Sequence, residues 1–360
     1  MLCYLEHKIT KENFNGLFQM MSSDTFYDAA QTHDLVVKYP KNFDRIDWSI
    51  EPIESFTILR AQRAQQLRES SSYIALYFSG GSDSTAVLNT FVLNNIPIDE
   101  VIINRFSDVP DIRHNGQVAI DYLKSIDYKG KVNIVDIDYK IINSLLVKQV
   151  WTKSNNFTGL LHSILRMRID FFEQNNLIPI KNIRPINTTH LYCETTPIIN
   201  VINKKYYAQF PVRAIGISTY QKGNIQFFTS EDFPQLHIKQ CHILVNYFKE
   251  HYPEETSILE SSKKYHKIIK NLIRDPWDTR ADFTIKTGSE GIRSLVNPNS
   301  EAFSVYNFYR INDANFTNNY YDSTVKEFLK TKLYKKYTRI APPLSSSITP
   351  PNFYIAETKI

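Results

Sequence analysis

The stretch YIALYFSGGSDSTAVLNTF, residues 73–91, joins an apolar run to an amphipathic one through a turn of small and acidic residues. Residues 73–78 are continuously apolar, as a strand buried on both faces requires. After the turn, Val87, Leu88, Phe91 and Val92 fall on one face of a helix. A turn that follows a parallel strand and precedes a helix lies at the carboxyl end of a sheet, where open α/β sheets bind ligands. Gly80 and Gly81 free the backbone for positive φ and for close approach to a ligand. Successive N–H groups, with the positive end of a helix starting near Asp83 or Ser84, then favour an anion. Ser79, Ser82, Ser84 and Thr85 add hydroxyl donors. The plainer reading is a Gly-rich connection in which Asp83 or Ser84 caps the helix.

The same pattern continues outward. EVIINRF (100–106) and KVNIVDIDY (131–139) read as second and third strands. Between them RHNGQVAIDYLKSI is an amphipathic helix with Val118, Tyr122 and Ile126 along one side. Strands separated by single helices are βαβ units, so the expected fold is α/β, a doubly wound and mostly parallel sheet. Further helices are expected over 54–68, 159–174 and 236–252, the last stopping before Pro253. Residues 183–229 read as β-rich, with QKGN (221–224) as a hairpin turn. The expected domains are an N-terminal extension (1–70), a core with a β-rich insertion (71–250), and a mainly helical C-terminal region (251–360). That last region ends in the Pro/Ser-rich, extended tail APPLSSSITPPNF.

Composition narrows the class. A chain of 360 residues accommodates two or three domains, and 22 Tyr with 22 Phe exclude a disordered one. Abundant Ile, Asn, Lys and Tyr suit an AT-rich coding genome, so part of the composition carries no functional message. Lys and Arg number 42 against 37 Asp and Glu, a charge of +5 that favours anionic ligands without naming one. The basic run KEFLKTKLYKKYTR (326–339) is the best nucleic-acid patch, though a solvated helix face explains it first. Cys3, Cys193 and Cys241 form no CxxC pair and no zinc-ligand spacing, so no disulfide framework or disulfide-linked partner is expected. No apolar run approaches the roughly 18 residues of a membrane span. The charged start MLCYLEHKITKENF does not read as a signal peptide, so the expected location is the cytoplasm.

The loop lacks the GxxxxGK[ST] of a Walker A motif. Ser79-Gly80-Gly81-Ser82-Asp83-Ser84-Thr85 instead resembles SGGxDS[ST], the signature loop of the PP-loop ATP pyrophosphatases. That family includes the synthetase domains of asparagine, GMP and NAD synthetases, tRNA lysidine synthetase, deazaguanine-nitrile synthase and, more distantly, adenylylsulfate reductases. The resemblance covers residues 73–230, with a specific motif only in the loop. It implies a Rossmann-like (HUP-type) core, ATP and Mg²⁺. It also implies a cradle for the β- and γ-phosphates made by Ser79, Gly80, Gly81, Ser82, Ser84 and Thr85. Asp83 becomes the metal-linked group, and Asp83 and Ser84 the catalytic pair. The end of the second strand, Asn104, Arg105 and Phe106, would lie under adenine and ribose, with Phe78 either an apolar wall or a core residue.

The implied chemistry is attack of a substrate carboxylate or carbonyl oxygen on the α-phosphorus, release of pyrophosphate, and displacement of AMP by a nucleophile such as ammonia. Arg213, Lys222, Lys239, Lys286 and Arg293 are candidates for neutralising pyrophosphate, each otherwise an ordinary surface charge. Glu231 and Asp232 read equally as metal ligands or as helix N-terminal charges capped by Ser230. Residues 230–248 resemble PP-loop proteins of large bacteriophages, which would make the acceptor a nucleotide, a tRNA base or a DNA-base precursor, and the location a host cytoplasm.

Departures from the family limit the choice. Met1-Leu2-Cys3 does not expose an N-terminal Cys, and some seventy residues before the first strand are too few for a glutaminase domain. Ammonia is then free or delivered by a partner. No zinc-binding Cys cluster is present, and Ser82 replaces the Lys of the reductases. Cys241 lies in a helical pattern with Leu244 and Phe248, as a buried thiol does, and Cys193 beside Glu194 reads as a buried strand residue before a nucleophile. An adenylylsulfate-type or sulfur-transfer enzyme is the runner-up, and a non-catalytic nucleotide-fold protein that binds a partner is the rival class. The acceptor and any homo-oligomeric state stay open.

Overall fold

The computed structural model describes residues 4–11, 13–14, 35–38, 41–105, 116–138, 140–141, 144, 167–179, 184–193, 197–209, 223–252 and 353–357. The chain opens with β1 (Tyr4–His7), β2 (Asn13–Phe14) and β3 (Leu35–Lys38), an antiparallel sheet in the order β2-β1-β3. A short helix α1 (Lys41–Asp44) and the longer α2 (Phe56–Ser70) follow, the latter capped where Ser55 Oγ accepts the Ile58 N–H.

Then comes the α/β core: β4 (Tyr73–Tyr77), α3 (Ser82–Leu93), β5 (Glu100–Arg105), α4 (Gln117–Ser125), β6 (Val132–Asp136), α5 (Ile169–Gln174) and β7 (Thr188–Tyr192). The chain continues through β8 (Ile198–Ile202), β9 (Lys205–Gln209), β10 (Asn224–Gln226) and α6 (Gln235–His251) to β11 (Phe353–Glu357).

Five strands form one parallel sheet in the order β10-β7-β4-β5-β6. From β4 the chain steps outward to β5 and β6, then crosses to β7 on the other flank of β4. The direction of winding therefore reverses between β4 and β7, and the 79–85 loop leaves the carboxyl end of β4 at that point.

Alternation along the strands gives the sheet two different faces. On one face Ile74, Leu76, Phe78, Val101, Ile103 and Leu191 pack under α2, α3 and α4, which contribute Leu59, Leu67, Val87, Leu88, Phe91 and Leu123. Each such side chain is worth roughly 1.5–3 kcal/mol on burial, so this core holds the fold. Helix α2, placed in the extension by the sequence, is part of it. Opposite lie Tyr77, Glu100, Asn133, His190, Tyr192 and Gln226, an unusually polar set of buried groups. Helix α5 covers part of this face: the Ile169 N–H donates to Tyr77 Oη at 3.0 Å. Arg184 closes its amino-edge half with a double contact to Glu100 (2.6 and 3.0 Å) and further bonds to Glu173.

A second core lies on α6. Its Ile238, Cys241, Leu244, Val245 and Phe248 meet Phe43, Trp48 and the antiparallel sheet β11-β9-β8. The Trp48 and Phe353 rings stack with centroids 4.4 Å apart.

Several expectations change. The helix expected over 159–174 begins at Ile169; Met167 and Arg168 are not helical, and Arg168 is extended, with its guanidinium held by Asp170. Residues 159–166 lie outside the described residues. Asn224 of QKGN starts β10, which pairs in parallel with β7, while the preceding residues 210–222 lie outside the description. The described hairpin is β8–β9, turned by Asn203 and Lys204, both at positive φ (49° and 62°) as a tight two-residue turn requires. In the C-terminal region residues 353–357 form a strand against β9, with Phe353 and Ile355 buried in the α6 core, and the Pro/Ser-rich run before Phe353 lies outside the described residues. The helices expected between residues 253 and 352 lie outside the described residues. Among the described residues no helix is long and apolar enough to cross a membrane.

Candidate functional site

The site is built from the end of β4. Phe78 N–H still bonds to Ile102 O at 2.8 Å, so the chain stays in the sheet to residue 78 and departs at Ser79. Gly80 then takes φ +68°, and a Cβ there would meet Ala119 N at 2.7 Å and Ala119 Cα at 2.9 Å. The loop thus rests its backbone on the first turn of α4, which only glycine permits. Gly81 differs: at φ −71° and ψ 160° it is the N-cap of α3, in a conformation open to any residue. The helix starts at Ser82, earlier than expected, and neither Asp83 nor Ser84 caps it. A glycine cap brings no side chain to the first-turn N–H groups, which have no intrahelical acceptors.

Three local hydrogen bonds shape the loop. Gly81 N–H donates to Ser79 Oγ (3.2 Å), Ser84 Oγ donates to Gly81 O (2.9 Å), and the two serine hydroxyls meet at 3.2 Å. Because the Ser84 proton is committed to Gly81 O, Ser79 is the donor between them. Ser79 is exposed, Gly81 and Asp83 half-buried, and Ser84 and Thr85 buried beneath. The Thr85 hydroxyl has no hydrogen-bond partner in the structure.

Cys193 follows β7, the strand beside β4. Burial, with the nearby Asp83 carboxylate adding to it, pushes the Cys193 thiol well up, so it is a neutral core thiol. Cys241 is likewise buried in α6 and its thiol pushed up by burial.

The other expected residues divide. Asn104 and Arg105 end β5 as expected; Asn104 Nδ2 donates to Met167 O (3.0 Å) and Arg105 Nε to Asp136 Oδ1 (2.5 Å). Phe106 lies outside the described residues. Phe78 is core: it is 2 % exposed and tilts against Tyr122, so it offers no face to a ligand.

Asp232 is bound elsewhere. Its carboxylate pairs with the fully buried Arg63 of α2 (2.9 Å) and accepts from Ser230 Oγ, and these bonds outweigh burial to hold it below the usual carboxylate range. Helix α6 starts at Gln235, with Pro234 as its N-cap, so Glu231 and Asp232 precede the helix and Ser230 does not cap it. Among the described residues no group of three His, Cys, Asp or Glu side chains is placed to hold a metal. Lys239 is paired too: its Nζ donates to Glu51 Oε1 (2.7 Å) and Pro52 O (2.9 Å), fastening the segment before α2 to α6. Arg213, Lys222, Lys286 and Arg293 lie outside the described residues.

Two features escaped the sequence reading. Gly116, at φ +71°, is the N-cap of α4, and a Cβ there would meet Arg105 Cβ at 2.9 Å; the dipeptide Asn115-Gly116 before an amphipathic run was its signal. Arg63 on α2 is buried against Phe233 and Asp232, which no local pattern in the sequence reveals. Compared with known proteins, the chain matches no family model and no curated sequence.

Proposed function

We propose that the chain is a PP-loop ATP pyrophosphatase with a doubly wound HUP-type core, adenylating a carboxylate or carbonyl substrate with release of pyrophosphate. The observation that carries this reading is the loop itself. An SGGSDST turn leaves the central strand where the winding reverses, is pressed onto α4 by Gly80, and starts a helix whose N-cap has no side chain. Phosphate oxygens there meet the first-turn N–H groups of α3, and Ser79 is the exposed hydroxyl beside them. Recruiting it replaces one internal bond to Ser84.

Mg²⁺ suits the residues present. It is commonly held by one or two carboxylates together with substrate phosphates, and Asp83 is the carboxylate on this loop. When bound it neutralises charge on the leaving pyrophosphate. Asp83 would hold and orient the cation, while the loop backbone N–H groups fix the triphosphate for in-line attack on the α-phosphorus by the acceptor oxygen. A nucleophile such as ammonia then displaces AMP. Calorimetry on Asp83→Asn tests the assignment. ATP affinity measured with Mg²⁺ falls at least tenfold, and affinity in chelator is unchanged. Equal affinities under both conditions would remove Asp83 from the metal.

A further inference from the structure

Strand β11 reaches β9 from far along the chain, and little fastens it there. Its ladder is interrupted: Tyr354 pairs with Tyr207 and Ala356 with Tyr206, leaving Ile355 as the extra residue of a bulge. Two side chains anchor the strand, Phe353 stacked on Trp48 and Ile355 at 1 % exposure. Outward it adds the Lys205–Glu357 pair at 3.3 Å, which is exposed and screened by solvent. Helix α6 is tied to the parallel-sheet unit without β11, by Lys239 to Glu51 and by Asp232 to Arg63. The core under the parallel sheet is likewise built without it. Two anchors set against the ordering of five backbone residues leave β11 near balance, the condition for local opening short of global unfolding.

What β11 braces begins close to the loop. On its other side β9 pairs with β8, which starts at Ile198, with only residues 194–197 between it and Cys193. Cys193 leaves β7 beside the Asp83 carboxylate. Five residue steps reach at most about 18 Å, so the seat of β8 limits where the chain leaves β7.

We propose that β11 is a clasp on the Cys193 flank of the 79–85 loop. Docked, it holds the β8–β9 hairpin and, through residues 194–197, the exit of β7. Undocked, it frees that exit while the parallel sheet stays folded. The consequence for ATP rests on reading the loop as a phosphate cradle, and the clasp itself does not.

The test uses the full chain and two variants that release an anchor, Ile355→Asp and the milder Phe353→Ala. Iodoacetamide labelling of Cys193 and Cys241 is followed by peptide mass mapping, with melting and ATP·Mg²⁺ calorimetry in parallel. Both thiols are buried, and Cys241 reports the α6 core whereas Cys193 reports the flank of the loop. Expected is labelling of both thiols about tenfold faster in the variants, with cooperative melting retained. A synthetic peptide of residues 351–360, at about the millimolar effective concentration of a tethered segment, returns both rates toward wild type. ATP·Mg²⁺ affinity falls with the strand released and recovers with the peptide. Faster labelling of Cys241 alone overturns the proposal, because β11 then only completes the second core. Unchanged rates in both variants, loss of cooperative melting in both, or no response to the peptide also overturn it. So does unchanged affinity in the variants of a wild type that binds ATP. If Cys193 follows the strand but wild type binds no ATP, the clasp stands and the reading of the loop fails.

Discussion

Gly80 and Gly81 are neighbours of identical chemistry with opposite requirements. Gly80 sits at positive φ with α4 backbone 2.7 Å from where a Cβ would be, whereas Gly81 needs neither the conformation nor the space. Gly80→Ala is therefore expected to lose more than about 2 kcal/mol in urea denaturation, from left-handed strain plus displacement of α4. Gly81→Ala should stay within about 0.5 kcal/mol of wild type; equal losses would contradict this assignment. The buried histidines set a second expectation. Burial lowers His190 and His237 from 6.5 to about 3 and lowers His242 as well. Below pH 6.5 the unfolded chain takes up protons that the folded chain refuses. This stability is therefore complete above about 6.5 and is lost as pH falls toward 3. Glu51 and Glu100, with ordinary values of 4.5, and Asp232, with 3.8, are also held low, and their losses come only below those values. Between pH 6.5 and 4.5 the slope belongs to the histidines, on the order of 1 kcal/mol per pH unit for each fully linked group. A His190→Gln/His237→Gln double variant should flatten stability in that window, and an unchanged slope would contradict their burial.

At the scale of elements, two ion pairs join segments distant in sequence. Arg184 ties β5 to α5 through Glu100 and Glu173, all three nearly inaccessible. Arg184→Ala strands two carboxylates in the interior and should cost about 3–5 kcal/mol. Arg63 joins α2 to the turn before α6 through Asp232, whose side chain is half exposed, so solvent screens the pair. Asp232→Asn is expected to cost about 1 kcal/mol while leaving ATP·Mg²⁺ affinity within twofold. A large loss of Mg²⁺-dependent affinity would return Asp232 to the metal. The β4, α3, β5, α4 and β6 order was legible because each element carries its own apolar period and one glycine-bearing turn. The start of α5 was not. Arg168 has the composition of a helix residue, and its extended backbone is accompanied by the bond from the next residue to Tyr77, 92 positions away in sequence. The β8–β9 turn uses Asn203 and Lys204 rather than Asn-Gly, so its signal was weak.

For the whole molecule, the sequence revealed the loop but not its surroundings. SGGSDST is contiguous, and its position after an apolar strand placed it at the carboxyl edge. What lies beside it depends on which strand pairs with β4. The sequence cannot show that β7, some 110 residues later, brings Cys193 next to Asp83 and sets Tyr192 against Tyr77. For the same reason Asp232 and Lys239 looked available for phosphate or metal until their partners on α2 and before it were seen. Calorimetric titration of ATP·Mg²⁺ into wild type and Gly81→Val decides whether the 79–85 loop is a phosphate cradle. Valine is compatible with φ −71° at this position, and its nearest new contact is the movable Ser79 Oγ at 3.0 Å, so the variant should melt within a few degrees of wild type. Micromolar binding to wild type and none to a folded Gly81→Val is the expected result. Equal binding by the two, or no binding by wild type at millimolar ATP, would contradict it.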